Sequence, residues 1–195
     1  MRELLLGDEA VAIAAIDAGI SGAFSYPGTP ATEILEFIQR RVESGTCDRP
    51  IAARWSANEK VAYEEALGMS YVGRRALVSM KHVGLNVAAD PFINSATTGA
   101  HGSLVLAVAD DPGMHSSQNE QDSRFYGDFA QIPIFEASNQ QDANPLPPFQ
   151  GGKQGGSRRP SAPACLETSV PSCLLPDFLL ASRLSTFRRF DVLTF

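Results

Sequence analysis

The feature that most constrains the fold is an uninterrupted apolar run, Leu104–Ala109, in the middle of the chain. The run reads Leu-Val-Leu-Ala-Val-Ala, so a strand built from it has no polar face. Such a strand must be covered on both sides, which is the usual situation in parallel sheets flanked by helices. We therefore predict that Ser103–Ala109 is a central strand of a layered α/β domain.

Strand and helix patterns alternate around this run along residues 1–140. The predicted strands are 22–26, 51–55, 75–80, 103–109 and 132–136. The predicted helices are 9–19, 30–41, 56–71, 85–97 and 124–130, with Asp8, Thr29 and Ser56 as the N-caps of the first three. Helices between successive strands imply crossover connections. The expected fold class is therefore α/β, a three-layer α/β/α domain with a mostly parallel sheet.

The composition changes abruptly after residue 140. Residues 1–140 hold 10 Lys and Arg against 18 Asp and Glu, whereas residues 141–195 hold 6 against 4 and contain 7 of the 13 prolines. The second part opens with a stretch rich in proline and glycine, which disfavour regular structure. We expect a domain at residues 1–140 and an irregular or disordered tail at residues 141–195. A shift of the reading frame near residue 143 would explain the same break.

Several function classes are disfavoured. The 195 residues suit one soluble domain; the apolar runs are shorter than a membrane span, and the N-terminus lacks the pattern of a secretory signal. A net charge of −6 argues against a nucleic-acid surface. Three cysteines without a C-x-x-C pair cannot hold a four-cysteine cluster and indicate a reducing cytoplasm. No phosphate-binding glycine motif is present, and the adjacent Asp110 and Asp111 point apart, so no metal site is predicted.

Polar segments follow four of the predicted strands. They are residues 26–29, 55–59, 81–86 and 110–120, and they are rich in glycine, hydroxyl, amide and ionisable groups. Ligands of open parallel sheets bind at the carboxyl ends of the strands. The last segment is also longer than a plain connector. We therefore expect the four segments to converge on one rim that forms the functional site.

Glu59 is the most informative residue of this rim. On a helical wheel of residues 57–71 it lies on the face of small and mostly apolar side chains. One interpretation is structural, because Glu59 stands three residues after Ser56 and completes a capping box. The other is functional, because a carboxylate beside an apolar cleft is desolvated and suited to exchanging a proton with a ligand nitrogen.

Other rim residues also allow two interpretations. Thr29 caps a helix, yet the free amides at a helix start also bind anions. Arg124 forms a surface pair with a neighbouring aspartate, or it binds a substrate carboxylate in a fork. His82 and His115 are either simple hydrogen-bonding residues or general acids and bases.

Four blocks of the sequence resemble a single known family. The blocks are Tyr26–Ile34, Trp55–Ala62, Met80–Pro91 and Asp110–Arg124. They resemble the N-terminal region of the indolepyruvate:ferredoxin oxidoreductase alpha subunit, one of the thiamine-diphosphate-dependent 2-oxoacid:ferredoxin oxidoreductases. The resemblance covers nearly all of residues 1–140 and none of residues 141–195. It implies a truncated chain whose residues 1–140 are a pyrimidine-binding domain.

The resemblance also implies roles for individual residues. Glu59 falls on the family glutamate that bonds N1′ of the aminopyrimidine, where it favours the imino tautomer that deprotonates the thiazolium C2. Gly28 and Asn86 are implied in cofactor binding, and Thr29, Arg124 and His115 in substrate binding. The complete enzyme oxidatively decarboxylates indolepyruvate or other aryl pyruvates to acyl-CoA.

Further components are implied in the same way. Thiamine diphosphate with Mg²⁺ is shared with a diphosphate-binding domain, and the complete enzyme also has iron–sulfur clusters, coenzyme A, a beta subunit and ferredoxin as its acceptor. We expect an oligomer in the cytoplasm without nucleic-acid or membrane partners, and no turnover by this chain alone. Two alternatives stay open. One is a non-catalytic remnant or oligomerisation module, and the other is a subunit of a non-oxidative 2-oxoacid decarboxylase.

Overall fold

The computed structural model describes residues 5–137 and the backbone of residues 190–194. The helices are α1 (Gly7–Asp17), α2 (Thr32–Glu43), α3 (Glu59–Tyr71), α4 (His82–Val87), α5 (Ala89–Thr98) and α6 (Arg124–Ala130). The strands are β1 (Gly22–Ser25), β2 (Ala52–Trp55), β3 (Arg75–Lys81), β4 (Ser103–Ala109), β5 (Ile134–Glu136) and β6 (Phe190–Thr194). They form one sheet in the order β2-β1-β3-β4-β6-β5, and all neighbours are parallel. None of the described helices is long and apolar enough to cross a membrane.

Helices cover both faces of the sheet. Successive strand side chains point to opposite faces, so each strand contributes to two buried clusters. One cluster joins strand residues to α3 and α5; it includes Phe24, Val78, Leu106, Tyr63 and Phe92. The other joins the alternate strand residues to α1 and α2; it includes Ala23, Leu77, Ala107, Ala15 and Ile34. The predicted three-layer fold is confirmed.

The predicted N-caps of the first two helices are wrong. The first helix begins at Gly7 and the second at Thr32, so neither Asp8 nor Thr29 is an N-cap. The chain first makes a tight turn after β1, in which the Gly28 N–H donates to the Thr32 hydroxyl at 3.0 Å. This turn delays α2 and leaves Thr29 outside the helix.

The helix predicted at residues 85–97 is two helices that meet at Ala88. Pro91 has no N–H to donate to the carbonyl of Val87, so the hydrogen-bond ladder is interrupted at this point. The first of the two helices begins at His82, directly after β3 and three residues earlier than predicted. Residues 82–86 are therefore helical and face the strand ends.

The strand β6 lies in the segment predicted to be irregular. Its backbone pairs in parallel with both β4 and β5. The prediction is therefore wrong for residues 190–194. The predicted boundary at residue 140 and the proposed frame shift near residue 143 lie outside the described residues.

Candidate functional site

The four polar segments meet at the carboxyl ends of the strands, as predicted. A Cβ atom added to Gly28 would lie 3.2 Å from Cδ of Lys81, so the first and third segments touch. The Lys81 ammonium donates to the carbonyl of Ser116 at 2.9 Å, which joins the third segment to the fourth. The second segment reaches the third through Glu59, which packs against Gly84. We call residues 26–29, 55–59, 81–86 and 110–120 the strand-end rim.

The helix α3 is capped by Asn58 and not by Ser56. The side-chain oxygen of Asn58 accepts the N–H of Val61 at 2.9 Å. The N–H of Ser56 donates instead to the carbonyl of Ser25, across the β1–β2 pair. The predicted capping box is therefore wrong, and the carboxylate of Glu59 has no capping function.

The Glu59 carboxylate is half-buried and lies against the backbone of α4. Within residues 5–137, no group forms a hydrogen bond or an ion pair with it. A half-buried carboxylate that no protein group pairs keeps its full capacity to accept hydrogen bonds. Such a group is well placed to bond a ligand that supplies a donor.

Asp111 organises the long loop after β4. Its side chain is 8% exposed and accepts hydrogen bonds from the N–H groups of His115 and Ser116 and from the hydroxyls of Ser116 and Ser117, at 2.8–3.2 Å. These hydrogen bonds, that of the Ser116 N–H above all, lower the pKa of Asp111 to about 2. The carboxylate of Asp110 accepts hydrogen bonds from the N–H and the hydroxyl of Ser123, which fixes the C-terminal end of the loop.

The two histidines of the rim differ in environment. His82 is buried, and its Nε2 lies 2.9 Å from the carbonyl of Asn119. A carbonyl only accepts, so Nε2 carries a proton and anchors the loop to α4. The buried Nδ1 has no partner among the described residues. His115 is exposed, and among residues 5–137 its hydrogen bond is that of its backbone N–H to Asp111.

Asn86 is part of a hydrogen-bonded chain. Its amide oxygen accepts from the Tyr126 hydroxyl at 2.7 Å, and its amide nitrogen donates to Gln121 at 2.8 Å. Gln121 in turn donates to the carbonyl of His82 at 3.4 Å. This chain ties α6 and the loop to α4, and one amide N–H of Asn86 has no partner within residues 5–137.

Arg124 forms a surface ion pair with the neighbouring Asp122, which is one of its two predicted interpretations. Its guanidinium donates two hydrogen bonds of 2.8 Å to Asp122 and a third of 3.2 Å to Glu136. The hydrogen bond with Asp122 raises the pKa of Arg124 and lowers that of Asp122. These residues also line a cavity of about 330 Å³ at the base of the loop. Thr29 is exposed and makes no side-chain hydrogen bond within the described part of the chain.

Several residues that shape the rim were not predicted. From the sequence, Lys81, Gly84 and Asn119 are included only as members of the polar segments, Gln121 only within the block Asp110–Arg124, and Asp111 individually only as a metal ligand. The sequence signal that would have identified this loop anchor is an aspartate followed by His115-Ser116-Ser117, whose N–H and hydroxyl groups supply its four donors. Within residues 5–137, no three His, Cys, Asp or Glu side chains group as metal ligands do.

The fold is similar to that of part of a solved 2-oxoacid:ferredoxin oxidoreductase. A 2-oxoglutarate:ferredoxin oxidoreductase from Magnetococcus marinus superposes with a TM-score of 0.58 at 20% sequence identity, over 72% of this chain and 25% of that chain. At this identity the likeness concerns the fold alone.

The sequence relatives of the chain are indolepyruvate oxidoreductase subunits. The chain is 52% identical over 144 residues to the indolepyruvate oxidoreductase subunit IorA of Archaeoglobus fulgidus, and 45% identical over 145 residues to that of Thermococcus kodakarensis. These matches cover 73% and 74% of this chain but 23% and 22% of the relatives, so the chain spans less than a quarter of their length. The predicted resemblance to this family is confirmed. No protein-family model matches the chain.

Proposed function

We propose that residues 1–140 form the pyrimidine-binding domain of a thiamine-diphosphate-dependent 2-oxoacid:ferredoxin oxidoreductase that acts on indolepyruvate or another aryl pyruvate. One observation carries the proposal: the half-buried carboxylate of Glu59 stands without a partner, within the described residues, at the rim of a parallel sheet. The similarity to indolepyruvate oxidoreductase subunits supports the substrate class.

Glu59 fits the aminopyrimidine ring of the cofactor. When bound, thiamine diphosphate stabilises the negative charge left on carbon when a 2-oxoacid loses carbon dioxide. In our proposal Glu59 holds a proton between its carboxylate and N1′ of that ring. In this proposal its half-buried position against Gly84 strengthens the hydrogen bond, because the effective dielectric constant is lower there than in bulk water.

The remaining rim residues serve cofactor and substrate in this proposal. Gly28 has no side chain to obstruct the rim, and Asn86 retains one free amide N–H toward the cofactor. Thr29 and His115 offer exposed groups to the substrate. The guanidinium of Arg124 binds the substrate carboxylate after that carboxylate has displaced Asp122.

We assign the other components to chains or domains beyond the described residues. These are the diphosphate-binding domain with Mg²⁺, the iron–sulfur domain or subunit, the beta subunit and ferredoxin, in an oligomeric assembly of the cytoplasm. Because the cofactor site is shared, this chain by itself should neither bind thiamine diphosphate tightly nor turn over. Micromolar binding by the isolated chain in calorimetry would contradict this.

The proposal is tested by co-expressing the chain with the products of neighbouring genes and assaying viologen reduction that depends on aryl pyruvate. Glu59→Gln should lower this activity by about 10²–10⁴-fold, the usual contribution of a proton-transfer group. Glu64→Gln is the matched control, because Glu64 is exposed on the same helix. Full activity of Glu59→Gln would refute the proposal. Aldehyde release without viologen reduction would favour a non-oxidative decarboxylase.

A non-catalytic oligomerisation module is the second candidate. It is favoured by Phe125 and Phe129, which lie one turn apart on α6 and are 72% and 77% exposed. Exposed aromatic pairs of this kind are common at protein interfaces. Under this candidate, replacing both by serine would change the oligomeric state, whereas Glu59→Gln would change nothing measurable.

A further inference from the structure

We propose that Gly84 is a positioning residue that sets the place of the Glu59 carboxylate. The inference rests on the proposed function, which gives that carboxylate its role. Gly84 is buried in α4, in the part of the rim that follows β3. A Cβ atom built on Gly84 would lie 2.7 Å from Cγ, 2.9 Å from Oε1 and 3.1 Å from Cδ of Glu59. The side chain of Glu59 therefore rests directly on the α4 backbone.

The side chain of Glu59 is the first group that a larger residue at this position would meet. The three heavy atoms nearest to an added Cβ all belong to Glu59. The backbone of Gly84 is helical and lies outside the left-handed region, so any residue can adopt it. Glycine is also a poor helix former, and alanine would stabilise an isolated helix at this point. Because Gly84 has no side chain, the Glu59 side chain can occupy the space beside its Cα atom.

An added methyl group on Gly84 would move the Glu59 carboxylate and leave the fold unchanged. The nearest atom to this methyl group is Cγ of Glu59, so a change of the Glu59 χ1 rotamer relieves the overlap without a shift of the backbone. Rotation carries the carboxylate away from α4 and changes its position at the rim. A misplacement of about 1 Å in a catalytic group can lower the rate about 100-fold.

The activity test uses the co-expressed assembly. Gly84→Ala should lower kcat by about 10- to 100-fold with little change in KM for the 2-oxoacid, because the substrate contacts are intact. The matched control is Gly68→Ala, a helical glycine of α3 with open space around its Cβ position, which should keep full activity. Unchanged kcat in Gly84→Ala would overturn the proposal.

A thermal-unfolding cycle on the 195-residue chain tests the contact without any cofactor. Gly84→Ala should raise Tm by about 2–4 °C less in the wild-type background than in a Glu59→Ala background, where the methyl group meets no obstacle. Gly68→Ala should shift Tm equally in both backgrounds. Equal shifts for Gly84→Ala would also overturn the proposal. The two backgrounds could give different Tm shifts for Gly84→Ala while the Glu59→Gln assembly stays fully active. That result would refute the proposed function and the positioning role of Gly84. It would still show that Gly84 and Glu59 are in contact.

Discussion

Replacing Asp8 by asparagine should stabilise the chain at neutral pH. Asp8 lies in the first turn of α1, which packs against α2, and is half-buried beside Glu33 in the first turn of α2. Burial first, and then repulsion by Glu33 and Glu9, raises the pKa of Asp8 to about 6. One carboxylate oxygen of Glu33 is itself buried without a partner among the described residues.

The sign and size of the effect follow from this pKa. The folded value of about 6 exceeds the ordinary value of 3.8, so the folded state favours the protonated carboxyl. The stability associated with the proton is fully present below pH 3.8 and is lost as the pH rises through 6. The difference between a pKa of 3.8 and one of about 6 corresponds to about 3 kcal/mol, which solvent screening of this partly exposed carboxyl reduces to roughly 1 kcal/mol.

Thermal unfolding at pH 4 and pH 8 measures this effect. Asp8→Asn should raise Tm by about 2–4 °C at pH 8, which is the shift expected from roughly 1 kcal/mol in a chain of this size. The gain should vanish at pH 4, where the wild-type carboxyl is already protonated. Glu36→Gln, at an exposed position of α2, is the control. A gain of equal size at both pH values, or a loss at pH 8, would show that ionised Asp8 is not a destabilising group.

Two further predictions concern the loop after β4. Asp111→Asn should speed proteolytic cleavage within residues 110–123, because the amide cannot replace all four hydrogen bonds to the carboxylate. In the wild type the stabilisation by Asp111 is present above pH 3.8 and is lost as the pH falls through about 2, so resistance to an acid-active protease should drop in that range. Asp122→Asn should lower KM for the 2-oxoacid in the assembled enzyme, because it removes the carboxylate that occupies Arg124; an unchanged KM would argue against Arg124 as a substrate ligand.

The sequence was sufficient to predict the layered fold. β4 and α6 have the predicted bounds, and β1, β2 and β3 differ from the prediction by one residue at one end. The reason is that apolar runs covered on both faces have few alternatives to a parallel sheet. The order of strands in the sheet, with β6 between β4 and β5, has no local signal, because it depends on pairing between distant segments.

Helix starts were predicted less well. Asp8, Thr29 and Ser56 all have good capping side chains, but each depends on the direction in which the chain enters the helix. The turn at Gly28 and the pairing of the Ser56 N–H with Ser25 fix that direction through contacts that sequence spacing does not encode. Capping propensity therefore located the helices and misplaced their first residues by two or three positions.

The two charged residues proposed for the site differ in a way that spacing alone could not indicate. Glu59 has no partner among the described residues, so a ligand nitrogen needs to displace no protein group to reach it. Arg124 holds Asp122 in a fork, so a substrate carboxylate must compete with an internal one. That competition is weak while Arg124 is exposed, because water screens an exposed ion pair. A partner domain that covers the rim would exclude this water and strengthen the interaction of Arg124 with whichever carboxylate it holds. In our proposal, the substrate-binding role of Arg124 therefore depends on the assembled site, whereas Glu59 is already unpaired among the described residues of this chain.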